Sequence, residues 1–272
     1  MKISVAMCVY NGVKREHLQK AIKSIYTDQT RHLDEFIVVV DGPVRQELKE
    51  VLIDIAKNTD TKVIWNDVNQ GYGLALACAL AASSYDWIAL MDSDDIAVPM
   101  RLELQENYIS NHRDIDVLGG NIEEFDSETG DFLGKRIVPQ NNDEIYRYMK
   151  SRSPFNNMTV MLRKKAVLEA GGYLDWPYDE DYYLWIRMAL KKMKFANLPE
   201  ILVHARADAG MYARRGGIVY FKSEAKLQQY MLNHQVISYP QYIWNIFLRI
   251  IVQILSPNFV RKFIYKYVAR KK

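Results

Sequence analysis

The sequence predicts an α/β fold: a mostly parallel sheet with helices on its faces. Two observations lead to it. Through residues 3–95, short apolar, β-branched runs alternate with stretches in which apolar residues recur at helical spacing. Most of those runs stop at polar or glycine-containing turns, the pattern of strands in successive strand–helix–strand units.

In order, Ile3–Val9 reads as a buried strand stopped by Tyr10-Asn11-Gly12, and Leu18, Ile22 and Ile25 give residues 15–27 a helical face. Phe36–Val40 is the second strand, ended by Asp41-Gly42-Pro43. A helix over Gln46–Lys57, a strand over Lys62–Trp65 and an Ala-rich helix reaching Ala82 follow, the last opened by Asn69-Gln70-Gly71-Tyr72-Gly73. Trp87–Met91 is another apolar strand, stopped by Asp92-Ser93-Asp94-Asp95. Residues 120–150 are polar and irregular and read as strands and loops of a second layer. Asp179-Glu180-Asp181 precedes the helical pattern Tyr182–Leu190.

In open α/β sheets ligands bind beyond the carboxyl ends of the strands, so Tyr10-Asn11, Asp41-Gly42 and Asp92-Ser93-Asp94 are expected around one crevice. Three carboxylates within four residues repel one another, and a cation between them relieves that cost. Mg²⁺ and Mn²⁺ take oxygen ligands and bridge carboxylates to phosphates. A solvated acidic turn is the plainer alternative. Asp179, Glu180 and Asp181 suit a helix N-terminus, and a carboxylate there can also act as a general base.

Taken together, Ser4–Asn11, Val39–Gly42, Asn69–Gly71, Met91–Asp95, and Gly171-Gly172-Tyr173 leading to Glu180–Arg187 come in an order and spacing that resembles the family 2 glycosyltransferases, nucleotide-sugar enzymes of the GT-A fold. The match covers roughly residues 1–220, and Arg214-Arg215-Gly216-Gly217 is similar to an element of the bacterial exopolysaccharide and capsule enzymes. The resemblance implies that Tyr10 lies against the nucleotide base, that Asp41 bonds the base or ribose, and that Asn69 and Gly71 border the nucleotide. It implies that Asp92 and Asp94 hold a Mn²⁺ or Mg²⁺ ion on the donor diphosphate, with Asp95 a third ligand or a neighbour that fixes them. Asp181 becomes the catalytic base, with Asp179 and Glu180 orienting it or facing the acceptor. Trp185, with Trp176, is either an apolar wall for a sugar or part of the core, and Arg206, Arg214 and Arg215 either reach the diphosphate or form a solvated basic face. The chain departs from the family at Leu74, where many members carry Lys or Arg, and at Ala77 and Ala79, which puts a phosphate contact from that helix in doubt. His204-Ala205-Arg206 stands where an aromatic-x-Arg arrangement is usual.

The expected activity is inverting, metal-dependent transfer from a nucleotide-sugar, with UDP the expected nucleotide, to a saccharide on a lipid carrier in bacterial surface polysaccharide synthesis. A sugar nucleotidyltransferase shares the sheet type but needs a Gly-rich basic N-terminal loop, which Tyr10-Asn11-Gly12-Val13 lacks. An inactive nucleotide-sugar-binding scaffold is the non-enzyme alternative, and Asp92, Asp94 and Asp181 argue against it.

Composition narrows the rest. An apolar fraction of 49% excludes a disordered chain, and a net charge of +3 over 272 residues argues against a dedicated nucleic-acid binder. That near-neutral charge is a sum of opposed parts. No Asp or Glu follows Glu224, while eight Lys and Arg do, leaving residues 1–224 at −5. Cys8 and Cys78 form neither a metal spacing nor a disulfide framework, which suits a reducing cytosol. No signal peptide and no membrane-spanning apolar run is visible. Residues 1–238 are expected to form the catalytic domain and residues 239–272 a basic amphipathic tail. In that tail Gln241, Asn245, Arg249 and Gln253 make one narrow polar stripe on an otherwise apolar helix, and Lys262, Lys266 and Arg270 make a basic stripe after Ser256-Pro257. The expected partner is an anionic membrane surface on the cytoplasmic side; packing on the catalytic domain or a second subunit is the alternative.

Overall fold

The computed structural model describes residues 1–207 and 216–257. In chain order its elements are β1 (Ile3–Val9), α1 (Arg15–Tyr26), β2 (Glu35–Val40), α2 (Gln46–Asn58), β3 (Lys62–Trp65), α3 (Tyr72–Ala82), β4 (Trp87–Asp92), β5 (Ile96–Ala97), α4 (Arg101–Asn111), β6 (Val117–Asp126), β7 (Phe132–Arg136), α5 (Asn142–Tyr148), a 3-10 turn (Asn157–Thr159), β8 (Met161–Arg163), α6 (Lys164–Glu169), α7 (Glu180–Leu190), β9 (Phe195–Ala207), α8 (Ile218–Asn233) and α9 (Tyr239–Arg249), which continues as a π-helical turn (Ile250–Leu255).

The strands form a nine-stranded sheet in the order β3-β2-β1-β4-β8-β6-β9-β5, with β7 added on β6. β1, β2, β3 and β4 run parallel, as the alternating pattern requires. All seven residues of β1 are buried because helices cover both faces of the sheet. The two-residue side-chain period sorts them: Ala6 and Cys8 pack toward α3 and α7, while Val5, Met7 and Val9 pack toward α1 and α2. α3 is apolar on every side, which fits a helix enclosed between the sheet and α7.

Residues 120–150 do not form a second layer. β6 joins the main sheet, antiparallel to β8 and parallel to β9 over Val117–Asp126. Its first half is buried and apolar, but Glu123, Glu124 and Asp126 in the second half hide the strand pattern.

The C-terminal helix is oriented opposite to the usual amphipathic arrangement. Its polar stripe faces the protein: Asn245 Nδ2 donates to Lys150 O and Gln228 Oε1, both at 2.8 Å, and Arg249 pairs with Glu224 and donates to Ser151 O. The apolar face points outward, with Trp244 58%, Phe247 50% and Leu255 68% exposed. The expected boundary at residue 238 falls between α8 and α9, which these bonds tie together. The basic stripe of Lys262, Lys266 and Arg270 lies outside the described residues.

Glu35 clamps the edge of the parallel sheet. Its carboxylate accepts from Ser4 Oγ (2.6 Å), Ser84 N (2.8 Å) and Ser84 Oγ (2.7 Å) and pairs with Lys62. Burial alone would raise its pKa, but Lys62, Ser4 and Ser84 outweigh burial and hold it at about 2 against an ordinary 4.5. The folded pKa is therefore the lower one, so this contribution is complete above pH 4.5 and is lost as pH falls toward 2. Glu35→Gln is expected to lower the unfolding free energy at pH 7 by about 2 kcal/mol and to flatten the acid limb, as measured by urea unfolding at a series of pH values.

Candidate active site

The register of the parallel strands sets the site. Cys8 lies beside Asp92 and Val9 beside Val40, so the chain leaves β1, β2 and β4 at one level. Tyr10, Asp41, Asn69, Gly71, Asp92 and Asp94 consequently line a single cleft of about 370 Å³ at the carboxyl ends of these strands. The crevice expected from the strand ends is thus present.

Asp41 is buried and holds the turn that forms one wall. Its two carboxylate oxygens accept from Gln70 N (2.8 Å) and Gly71 N (2.9 Å), and its carbonyl accepts from Asn69 Nδ2 (3.0 Å). Gly42 (φ 85°) and Gly71 (φ 92°) sit in the left-handed region, and a Cβ on Gly42 would stand 2.6 Å from Asn69 N.

The acidic turn after β4 is braced from three sides. Tyr72 donates its hydroxyl to Asp92 Oδ1 at 2.8 Å and receives Asn157 Nδ2 at 3.0 Å. Asp95 is buried and accepts from Arg206 N (2.7 Å), while Arg206 Nε donates to Asp94 O (2.9 Å). Arg101, fully buried, donates to Leu90 O (2.6 Å). Burial and then the Asp94 charge push Asp92 up to about 7, against the Tyr72 bond. Burial lowers Arg101 to about 9, while Asp92 and Asp95 act the other way. Burial, then Asp94 and Asp92, put Asp95 well above the usual carboxylate range.

Asp181 lies in the first turn of α7, and Asp179 precedes that helix. Both line a second cleft, of about 820 Å³, between the body of the protein and α9. The charge on Asp181 is among those that raise Asp92, so the two carboxylates lie near enough to interact. Asn157 lines the second cleft while its partner Tyr72 lines the first, and the Asn157–Tyr72–Asp92 chain forms the wall between them. Asp179 does not cap α7 with its side chain; it accepts from Ser223 Oγ at 2.9 Å. Glu180 turns instead into a small recess against the start of α3, where burial and then the Asp181 charge raise it to about 7.

The structure selects among the alternatives at Trp185, Trp176 and Arg206. Trp185 does not face an acceptor: it is 0% exposed and meets Phe155 edge-on at 5.1 Å, because α7 turns it into the core. Trp176 is buried too, against Tyr183. Arg206 does not line the nucleotide cleft; its guanidinium holds the Asp94–Asp95 turn and lies 4.7 Å over the Phe125 ring. Arg214 and Arg215 lie outside the described residues. Conversely, Tyr72, Asn157 and Tyr178 belong to the site without having been singled out. Tyr178 carries a φ of 72°, rare for a non-glycine residue, at the mouth of the second cleft. Its position beside Asp179 was the available signal.

Acidic strand ends around one cleft, with an acidic helix start across a narrow wall, are what the resemblance to the GT-A glycosyltransferases implies. Residues 4–172 match the model of glycosyl transferase family 2, and the chain belongs to that family. It is 36% identical over 229 residues to the amylovoran biosynthesis glycosyltransferase AmsE of Erwinia amylovora, covering 84% of this chain and 85% of the relative. It is 35% identical over 270 residues to the UDP-Gal:alpha-D-GlcNAc-diphosphoundecaprenol beta-1,3-galactosyltransferase of Escherichia coli, covering 99% and 97%. The fold is similar to that of S. aureus TarS, with a TM-score of 0.68 at 17% identity over 92% of this chain; the chain spans 43% of TarS.

Asp41→Ala removes the acceptor of two backbone N–H groups. It is expected to cost about 2–4 kcal/mol of stability and to loosen the Asn69–Gly71 turn, with Asp41→Asn losing less, as read from thermal unfolding of both variants.

Proposed function

We propose that this glycosyltransferase moves a sugar from a UDP-sugar to a saccharide on a lipid carrier, with inversion and with a divalent cation, in bacterial surface polysaccharide synthesis. The observation that carries the reading is the pair of adjoining clefts, with Asp92 and Asp94 in one and Asp181 in the other. The substrates named for the Escherichia coli relative and the pathway named for AmsE support the donor, acceptor and setting.

In this reading Tyr10 and the Asp41-held turn receive the nucleotide. Asp181 accepts the proton of the acceptor hydroxyl as that oxygen attacks the anomeric carbon from the face opposite the diphosphate. The bond from that carbon to the diphosphate breaks, and the electron pair leaves with the diphosphate. One displacement inverts the configuration.

Asp92 and Asp94 suit a hard cation. They share one cleft, offer only oxygen, and the repulsion that raises Asp92 is what a cation relieves. Mn²⁺ or Mg²⁺ held there would offset the charge that develops on the leaving diphosphate.

Asp181→Asn is expected to keep UDP affinity within about twofold and to lower turnover by about a thousandfold or more. UDP release and UDP binding measured on the same preparation check this, and near-normal turnover would sink the assignment of the base.

The outward apolar face of α9 supports peripheral attachment to an anionic membrane, since no helix among the described residues is long and apolar enough to cross one. Phe247→Glu combined with Ile254→Glu is expected to abolish sedimentation with phosphatidylglycerol vesicles without lowering the melting temperature, both side chains being exposed. Retained sedimentation would place the contact elsewhere.

A further inference from the structure

The second cleft changes chemistry from wall to wall. Its volume of 820 Å³ lies toward the upper end of the roughly 300–1,000 Å³ of small-molecule sites, more than one sugar ring requires. The α7 wall is acidic. β7 and the loop after α5 bring two guanidinium groups to the same cleft, Arg136 and Arg152. Arg136 is set by a bond to Ser153 O (2.9 Å), and Arg152 is exposed and lies over the Tyr148 ring at 5.8 Å. Between them Ser153 Oγ and, nearer Tyr72, Asn157 Oδ1 are buried with no hydrogen-bond partner among the described residues. The third wall is α9, where Trp244 and Leu248 line the cleft and also belong to the exposed apolar face. Trp244 and Leu248 thus border both the cleft and that face, beside the polar Gln241, Asn245, Arg249 and Gln253 of the same helix.

We propose that this cleft binds the head of an acceptor whose sugar is carried on a lipid diphosphate. The sugar hydroxyl meets Asp181, the diphosphate lies on Arg136 and Arg152, and the first carbons of the lipid lie against Trp244 and Leu248 before passing onto the outer face of α9. Guanidinium groups suit phosphate oxygens in bidentate geometry, and an apolar wall shared with the exposed face of α9 suits a lipid chain. The assignment rests on the acceptor reading above and adds the groups that select the carrier.

Binding of farnesyl diphosphate to the full chain, with UDP and Mn²⁺ saturating the first cleft, tests it by calorimetry. Farnesyl diphosphate is expected to bind at least about tenfold more tightly than farnesol or inorganic diphosphate, and Arg152→Gln and Leu248→Asp are each expected to weaken it by about tenfold or more with UDP affinity unchanged. Arg152 is exposed, so its variant is expected to melt with the parent. Equal affinity for farnesyl diphosphate and farnesol, full affinity in Arg152→Gln, or competition with UDP would each overturn the proposal. Normal UDP binding without farnesyl diphosphate binding defeats this inference alone, whereas failure to bind UDP defeats the glycosyltransferase reading beneath it.

Discussion

Three carboxylates placed within four residues at the enclosed end of β4 set the terms for the surrounding structure. Desolvation and mutual repulsion both oppose their ionised forms, as the raised pKa values of Asp92 and Asp95 express. The fold answers with donors from three separate elements. Tyr72 reaches Asp92 from α3, the Arg206 backbone reaches Asp95 from β9, and Arg101 stands beneath from α4. None of these elements adjoins β4 in the sheet order through its own strand pairing. The acidic turn thus ties together parts of the chain that hydrophobic burial alone would bring near one another without fixing their relative positions. Arg101 is held by a backbone carbonyl rather than by direct contact with the carboxylates, so it offsets charge without occupying their oxygens.

The same arrangement lies between the two clefts. Tyr72 serves both sides: its hydroxyl donates toward Asp92 and accepts from Asn157. In the proposed displacement the base and the leaving group stand on opposite faces of one sugar carbon, which requires the donor and acceptor clefts to meet at that carbon.

Much of this was legible in the sequence, and the reason is physical. Strands covered on both faces must be continuously apolar, so Ile3–Val9, Phe36–Val40 and Trp87–Met91 announce themselves, and polar residues at their ends can only lie beyond the sheet. Asp41, Asp92 and Asp94 follow from that rule. Tyr72 and Asn157 do not, because their role depends on a contact across 85 positions that no local pattern encodes. Trp185 was ambiguous for a similar reason: helical spacing identifies a face but not whether that face meets core or ligand. Residues 120–150 were read as a second layer because Glu123, Glu124 and Asp126 break the apolar pattern by which the other sheet strands are recognised.

α9 illustrates the limit most clearly. Its period separates a narrow polar stripe from a wide apolar surface, and periodicity is silent on which of the two is turned inward. The structure turns the stripe inward, against carbonyls and carboxylates that need partners: Lys150 O, Ser151 O, Gln228 and Glu224. A nearly buried ion pair such as Glu224–Arg249 contributes little net stability once desolvation is counted, but breaking one side of it leaves an uncompensated charge. Attachment through such bonds therefore fixes the rotation of the helix while committing little of its apolar area. Trp244 and Leu248 can then belong to the cleft and to the outer surface at once. A helix held by its apolar face would have closed that connection, so the inversion is what lets one element border both the cleft that contains Asp181 and an apolar exterior.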